Sequence, residues 1–282
     1  YNRSLQVVSN DELGYAGDVV NEMTEGLKER ESMQQSLNLA RQIQQNLLPG
    51  KNPEIAGLDI AGKTVYCDET GGDYYDFLLP EDSRNPSIRI VMGDVSGHGV
   101  SSALLMATSR ALFRQRSAMP GDLNEVVNQV NTFLCRDVED SGNFMTLFCV
   151  EIDPVVNRIK WVRAGHDPGI LYDSETDQFT ELRGPGVALG IDDSMVYEQN
   201  RISRLSRDHI ALLYTDGIWE AQNSAGERFG KDNLKALIRR HKDLSSGELL
   251  ETLMAAVRRF SGNGSLQDDA TLIVVKFLND PK

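Results

Sequence analysis

The order of the apolar runs is the strongest constraint on what this chain can fold into. Short β-type runs at 58–66, 74–79 and 88–91 follow one another with no helical pattern between them. Runs at 144–152, 158–162, 170–172 and 178–182 do the same, and those at 210–214 and 270–277 complete the set. Parallel neighbours need a long crossover, usually a helix, whereas antiparallel neighbours join through short turns. The pattern therefore predicts an α+β protein with largely antiparallel sheets, and it excludes a βαβαβ parallel sheet. Helical spacing places helices at 100–117, 122–137, 230–242 and 246–260. In the first of these Ala103, Leu104, Ala107, Ala111 and Leu112 share a face. Arg110, Arg114 and Arg116 lie towards its end, where cations suit the helix dipole.

A different pattern precedes the first strand. Residues 10–48 hold no proline and only Gly14, Gly17 and Gly26. Val19, Met23, Gly26, Met33, Leu37, Ala40 and Leu47 recur at a 4-3 spacing, broken by Arg30 and Gln44. That predicts a long helix with a coiled-coil-like seam, pairing with a second copy in a parallel homodimer. Pro49-Gly50 ends it.

Aspartates mark the strand ends. Asp73 enters an aromatic strand in "GGDYYDF", Asp94 closes one in "GDVSGHG", and Asp216 closes another in "LLYTDGIWEA". Asp268 and Asp269 precede the last run in "DDATLIVVK". Singly, Asp and Gly are ordinary turn residues. Several at the ends of core-type strands predict one acidic rim, whose carboxylates repel one another unless cations neutralise them. Oxygen ligands select hard ions, Mg²⁺ or Mn²⁺, and a pair of them can activate water and polarise a phosphoryl group. The net charge of −13 argues against nucleic acid or an anionic membrane face as the partner.

Other chemistries lack their residues. Six positions after Cys67, Cys135 and Cys149 stand Asp73, Ser141 and Val155, so no Cys-x₅-Arg phosphate loop exists. The glycine turn lacks the Gly-Lys-Ser/Thr of a nucleotide loop and the order of a dinucleotide fingerprint. Four scattered histidines make no zinc site. The three dispersed cysteines fit reduced core thiols of a cytoplasmic domain. No stretch has the length of a membrane span, and no signal peptide is evident. The chain opens on Tyr1 rather than Met and is expected to be part of a longer protein.

The motifs "ARQIQQNLLP" (40–49), "GGDYYDF" (71–77), "GDVSGHG" (93–99), "AGHDPGILY" (164–172), "GVALGI" (186–191), "LLYTDGIWEA" (212–221) and "DDATLIVVK" (268–276) occur in that order. As an ordered set they resemble the metal-dependent protein phosphatases of the bacterial SpoIIE/RsbU-type branch. The resemblance implies a β-sandwich of two mainly antiparallel sheets flanked by helices over 51–282. It implies a centre of two Mn²⁺ or Mg²⁺ ions at one edge. Asp94 would bridge both ions, with the Val95 carbonyl as a further ligand. Asp73 and Asp216 would each serve an ion, Asp268 would join Asp216, and Asp269 stands beside it in the metal set. The implied reaction is hydrolysis of phosphoserine or phosphothreonine by metal-activated water, and the implied substrate is a STAS-type anti-anti-sigma protein. His98 is read as a turn-packing or helix N-terminal residue, the alternative being proton donation to the serine leaving group, and His166 as one that orders its own turn.

The stretch "NDELGYAGDVVNEMTEGL" (10–27) resembles the second helix of a HAMP signalling domain. It implies a partial HAMP-like segment over 1–27 and a coiled-coil-like linker helix over 28–50. The full-length protein would then be anchored in the cell membrane, with this chain as its cytoplasmic output and no membrane contact of its own. A histidine kinase would carry its phosphoacceptor on that helix, yet the first histidine is His98. A diguanylate cyclase hairpin has no tyrosine pair inside it, as "GGDYYDF" does. The remaining rival is a catalytically idle phosphatase-fold scaffold that signals by binding.

Overall fold

The computed structural model describes residues 5–6, 11–68, 70–79, 87–203, 205, 209–262 and 266–278. The chain divides into two compact units, Tyr1–Gln45 and Asn46–Lys282. Residues 1–4 and 7–10 of the HAMP-like stretch lie outside the described residues. One long helix, α1 (Glu12–Leu47), forms where the proline-free stretch predicts it. Its apolar side chains Leu13, Met23, Leu27, Met33, Leu39 and Ile43 are exposed.

The second unit contains two five-stranded sheets. The first has the order β1 (Leu58–Val65), β10 (Ala270–Phe277), β9 (His209–Tyr214), β6 (Gly169–Asp173), β7 (Gln178–Leu182). The second runs β2 (Tyr74–Leu78), β3 (Ile88–Val95), β4 (Met145–Asp153), β5 (Arg158–Ala164), β8 (Asn200–Ser203). Every neighbouring pair is antiparallel, as the succession of strands without intervening helices predicts.

Three apolar layers hold these elements. Ile90, Met92, Phe148 and Val150 of the second sheet meet Ile60, Leu171, Leu213 and Ile273 of the first. Val91, Val95, Leu147 and Cys149 point the other way, against α2 (Val100–Ser117) and α3 (Leu123–Val138). Leu212, Tyr214, Leu272 and Val274 pack against α5 (Gly230–Arg240) and α6 (Ser246–Phe260). The layering is α-β-β-α. Inner strands are covered on both faces, which is why they read as continuous apolar runs rather than alternating ones.

Three local features depart from the sequence reading. Strand β8 was not foreseen: Asn200-Arg201-Ile202-Ser203 has a single apolar residue, as suits a sheet edge. Strand β3 continues past Val91 to Val95, so Asp94 sits within it. Arg114 does more than complement a helix dipole. Its Nε and Nη2 donate to both oxygens of buried Asp76, at 2.6 and 2.9 Å, and so dock α2 on β2. Capping boxes at Asp122/Glu125 and Ser245/Glu248 start α3 and α6.

Phe148 is fully buried between the sheets. Phe148→Ala is expected to cost about 3–5 kcal/mol, read as a lower urea midpoint with the m-value unchanged.

Candidate metal centre

Strand register brings the aspartates together. Tyr74 pairs with Gly93, so the start of β2 lies beside the end of β3, and Asp73 and Asp94 are near neighbours. Tyr214 pairs with Leu272, so Asp216 follows β9 where Asp268 and Asp269 lead into β10. Asp216 opens a single helical turn, α4 (Asp216–Trp219), that the sequence pattern did not predict.

Asp73 ties the two sheets at this edge. It is buried, and its Oδ2 accepts hydrogen bonds from Thr215 Oγ1 at 2.8 Å and Thr271 Oγ1 at 2.6 Å. The Thr271 N–H donates to Thr215 Oγ1, and the Thr215 N–H to the Thr271 carbonyl. Asp269 organises the loop before Asp73: Oδ1 accepts from the Cys67 N–H and Oδ2 from the Gly72 N–H, both at 2.9 Å. Its carboxylate is a strut as well as a member of the acidic set. Asp268 is exposed and accepts from the Asp269 N–H.

Glycines set the spacing. The Val95 N–H donates to the Gly72 carbonyl, and a Cβ on Gly72 would stand 2.6 Å from the Val95 carbonyl oxygen. A Cβ on Gly71 would stand 1.9 Å from Asp269 Oδ2, and one on Gly217 2.0 Å from the Asp269 carbonyl oxygen. Gly72 and Gly217 are required because backbone segments touch there, and Gly71 because the Asp269 carboxylate and the Tyr66 ring close on it.

A cavity of about 190 Å³ opens on this rim, lined by Asp94, Thr146, Gly165, His166, Asp167, Asp216 and Trp219. His166 is buried in its wall. Its Nε2 donates to the Tyr214 carbonyl at 3.2 Å, and Nδ1 accepts from Thr146 Oγ1 at 2.8 Å. A carbonyl can only accept, which assigns the ring proton to Nε2. His166 thus joins β4 to β9 and orders its turn. His98 is exposed before α2 and does not line the cavity. Asp167 accepts from Trp219 Nε1 and from Lys231 Nζ, whose ammonium lies 4.6 Å from the indole centroid. Thr146, Thr215, Thr271, Asp167 and Trp219 escaped the sequence reading. The threonines stand within two residues of a rim carboxylate or in its cavity, the one signal that would have found them.

The carboxylates crowd one another. Burial, then Asp216, Asp268 and Asp269, push Asp94 up to about 8. Burial, then Asp94 and Asp269, hold Asp73 well above the usual carboxylate range, against the pull of the two threonine hydroxyls. Asp216 is raised by burial and then by Asp268. Among the described residues, no three acidic, histidine or cysteine side chains enclose an ion by themselves. An oxygen-only rim with raised proton affinity fits hydrated hard ions, since Mg²⁺ commonly takes one or two carboxylates and keeps several waters.

Two outcomes follow. Asp94 binds its proton more tightly folded than unfolded, so in metal-free protein it contributes stability below about pH 4 that is lost as pH rises through 8. At pH 8 metal-free Asp94→Asn should melt roughly 2–4 °C above wild type, and Mn²⁺ should raise the melting temperature of wild type only. Burial lowers His166 to about 4. Its contribution is complete above the unfolded value near 6.5 and is lost as pH falls towards 4. Urea unfolding should show a fall of about 3 kcal/mol over that window, absent from His166→Gln.

The family model described as Stage II sporulation protein E (SpoIIE) matches residues 85–278. Phosphoserine phosphatase RsbU of Bacillus subtilis is 27% identical over 247 residues, covering 88% of this chain and 71% of RsbU. Phosphoserine phosphatase RsbP of the same organism is 27% identical over 244 residues, covering 85% of this chain and 57% of RsbP. The solved SiaA-PP2C domain of Pseudomonas aeruginosa superposes with a TM-score of 0.74 at 22% identity, covering 88% of this chain and 98% of that one. The chain belongs to the SpoIIE family and has the fold of the PP2C domains it superposes on.

Proposed function

We propose that this chain is a metal-dependent serine/threonine protein phosphatase that dephosphorylates a regulatory protein of the STAS anti-anti-sigma type. The observation that carries the reading is the acidic rim itself. Asp94 and Asp216, both with raised proton affinity, line a cavity that holds no cationic side chain in its described lining, and buried Asp73 stands beside Asp94. Such a rim repels a phosphate ester until cations neutralise it.

Asp73, Asp94, Asp216 and Asp268, with the Val95 carbonyl and Asp269, would hold two ions, Mn²⁺ or Mg²⁺, Asp94 between them. Bound there, the ions supply Lewis acidity and lower the pKa of a coordinated water. The chain's residues keep that geometry: Thr215 and Thr271 aim Asp73, Asp269 fixes the backbone at Cys67 and Gly72, and His166 stays neutral and holds the cavity wall. RsbU and RsbP, both named phosphoserine phosphatases, support the same chemistry here.

The wider setting is part of the proposal. Residues 1–27 would be the end of a HAMP-like segment and 28–50 its linker helix, with 51–282 the phosphatase domain. Exposed apolar residues along α1 support a parallel homodimer. No helix among the described residues is long and apolar enough to cross a membrane. The role proposed for the chain is that of a cytoplasmic output domain, with a membrane anchor elsewhere in the full-length protein.

The test is Mn²⁺-dependent phosphate release from phosphorylated STAS proteins of the same genome. Asp94→Ala and Asp216→Ala should each lower kcat/KM by about 100-fold or more, and chelator should abolish both turnover and phosphopeptide binding. Equal turnover in the variants would overturn the two-ion mechanism. Binding of the phosphoprotein with no phosphate released would favour the idle scaffold.

A further inference from the structure

The 165–168 turn separates two concavities of opposite character. On one side Gly165, His166 and Asp167 line the acidic cavity. On the other lies an open basin of about 560 Å³, formed by Arg163, Pro168, Arg183, Gly184, Pro185 and Asn200. No carboxylate belongs to its described lining, in a chain whose net charge is −13.

Arg163 is the half-buried centre of this basin. Its Nε donates to the His166 carbonyl and its Nη1 to the Gly184 carbonyl at 3.0 Å. Both of these partners are neutral backbone groups. A guanidinium carries five N–H donors, so three are left for a ligand and the charge is not cancelled by either bond. Arg183 stands exposed at the rim, tethered to Glu181 at 2.6 Å. Asn200 Nδ2 lies 2.9 Å from where a Cβ on Gly184 would stand, so the glycine leaves room for the amide.

We propose that this basin is a docking subsite for an acidic side chain of the protein substrate, next to the residue whose phosphate enters the neighbouring cavity. The inference rests on the phosphatase reading of that cavity. A fixed arginine with spare donors matches the two oxygens of a carboxylate. Partial burial makes such a pair stronger than a fully exposed one. Because the same short turn walls both concavities, one extended segment of substrate engages both. Arg163 also grips the carbonyl of His166, so the docked acid bears on the turn that shapes the catalytic cavity.

The test uses the full chain with Mn²⁺ and two synthetic peptides. Both carry a non-hydrolysable phosphonate in place of phosphoserine, and they differ only in aspartate or alanine at the flanking positions. Fluorescence anisotropy should show the aspartate peptide binding about tenfold more tightly. That ratio should fall to about one in Arg163→Gln and in Arg183→Glu, each variant serving as its own reference. Arg183 is exposed, so its variant remains informative if Arg163→Gln fails to fold. A wild-type ratio near one, or a ratio that survives both substitutions, overturns the proposal. Phosphate release from the matching phosphoserine peptides is measured in parallel. If the binding ratio holds while no peptide is hydrolysed, the basin stands and the phosphatase reading is what fails.

Discussion

The Asp73 carboxylate and the two threonine hydroxyls that meet it are the interaction on which this architecture turns. Asp73 leads into β2 of one sheet, while Thr215 and Thr271 stand at the ends of two interior strands of the other. A buried charge of this kind is tolerated only when its lone pairs are satisfied. Here the satisfying groups come from across the sandwich, so the cost of burial is offset only when the sheets are in register at this end. Apolar packing between the sheets is non-directional and sets no such register. The hydrogen bonds to Asp73 do, and the positions of Asp94, Asp216 and Asp268 follow from them.

Electrostatic conflict is concentrated at the same place. Asp94 and Asp216 are raised by burial and by the neighbouring carboxylates, and the rest of the fold is built to withstand it. Asp269 spends both oxygens on backbone N–H groups, and Asp167 is matched by an indole N–H and an ammonium. Away from the rim, buried Asp76 is answered by a two-pronged arginine. Asp94 and Asp216 stand against like charges at the cavity while Asp76, Asp167 and Asp269 are matched, the pattern expected of a functional site.

Much of this was legible in the sequence, for identifiable reasons. Strands buried on both faces announce themselves as unbroken apolar runs, and the helices by their apolar spacing. What escaped depends on partners far along the chain. Nothing in Asn200–Ser203 says that an edge strand will pair there, because its stability comes from β5. Thr215 and Thr271 look like ordinary strand-end residues until Asp73 is placed against them. The glycines of "GGD" and "TDG" read as turn residues, whereas Gly72 and Gly217 let backbone touch backbone and Gly71 makes room for the Asp269 and Tyr66 side chains. Asp94 was read correctly as a strand-end acid, but the strand runs one residue beyond it, which aims its side chain from a rigid element rather than a loop.

Strand β10 lies in the middle of its sheet, between β1 and β9, although it comes last in the chain. The bond from Thr271 to Asp73 spans 198 residues of sequence. During synthesis, which proceeds from the N-terminus, β1 and β9 emerge with the gap between them still open. Contacts of this sequence separation form late, since loop closure must precede any gain from them. The acidic rim therefore stays unassembled until the last strand has entered the sheet. A domain without β10 lacks the Thr271 hydroxyl on Asp73 and the pairing that brings Asp216 beside Asp268.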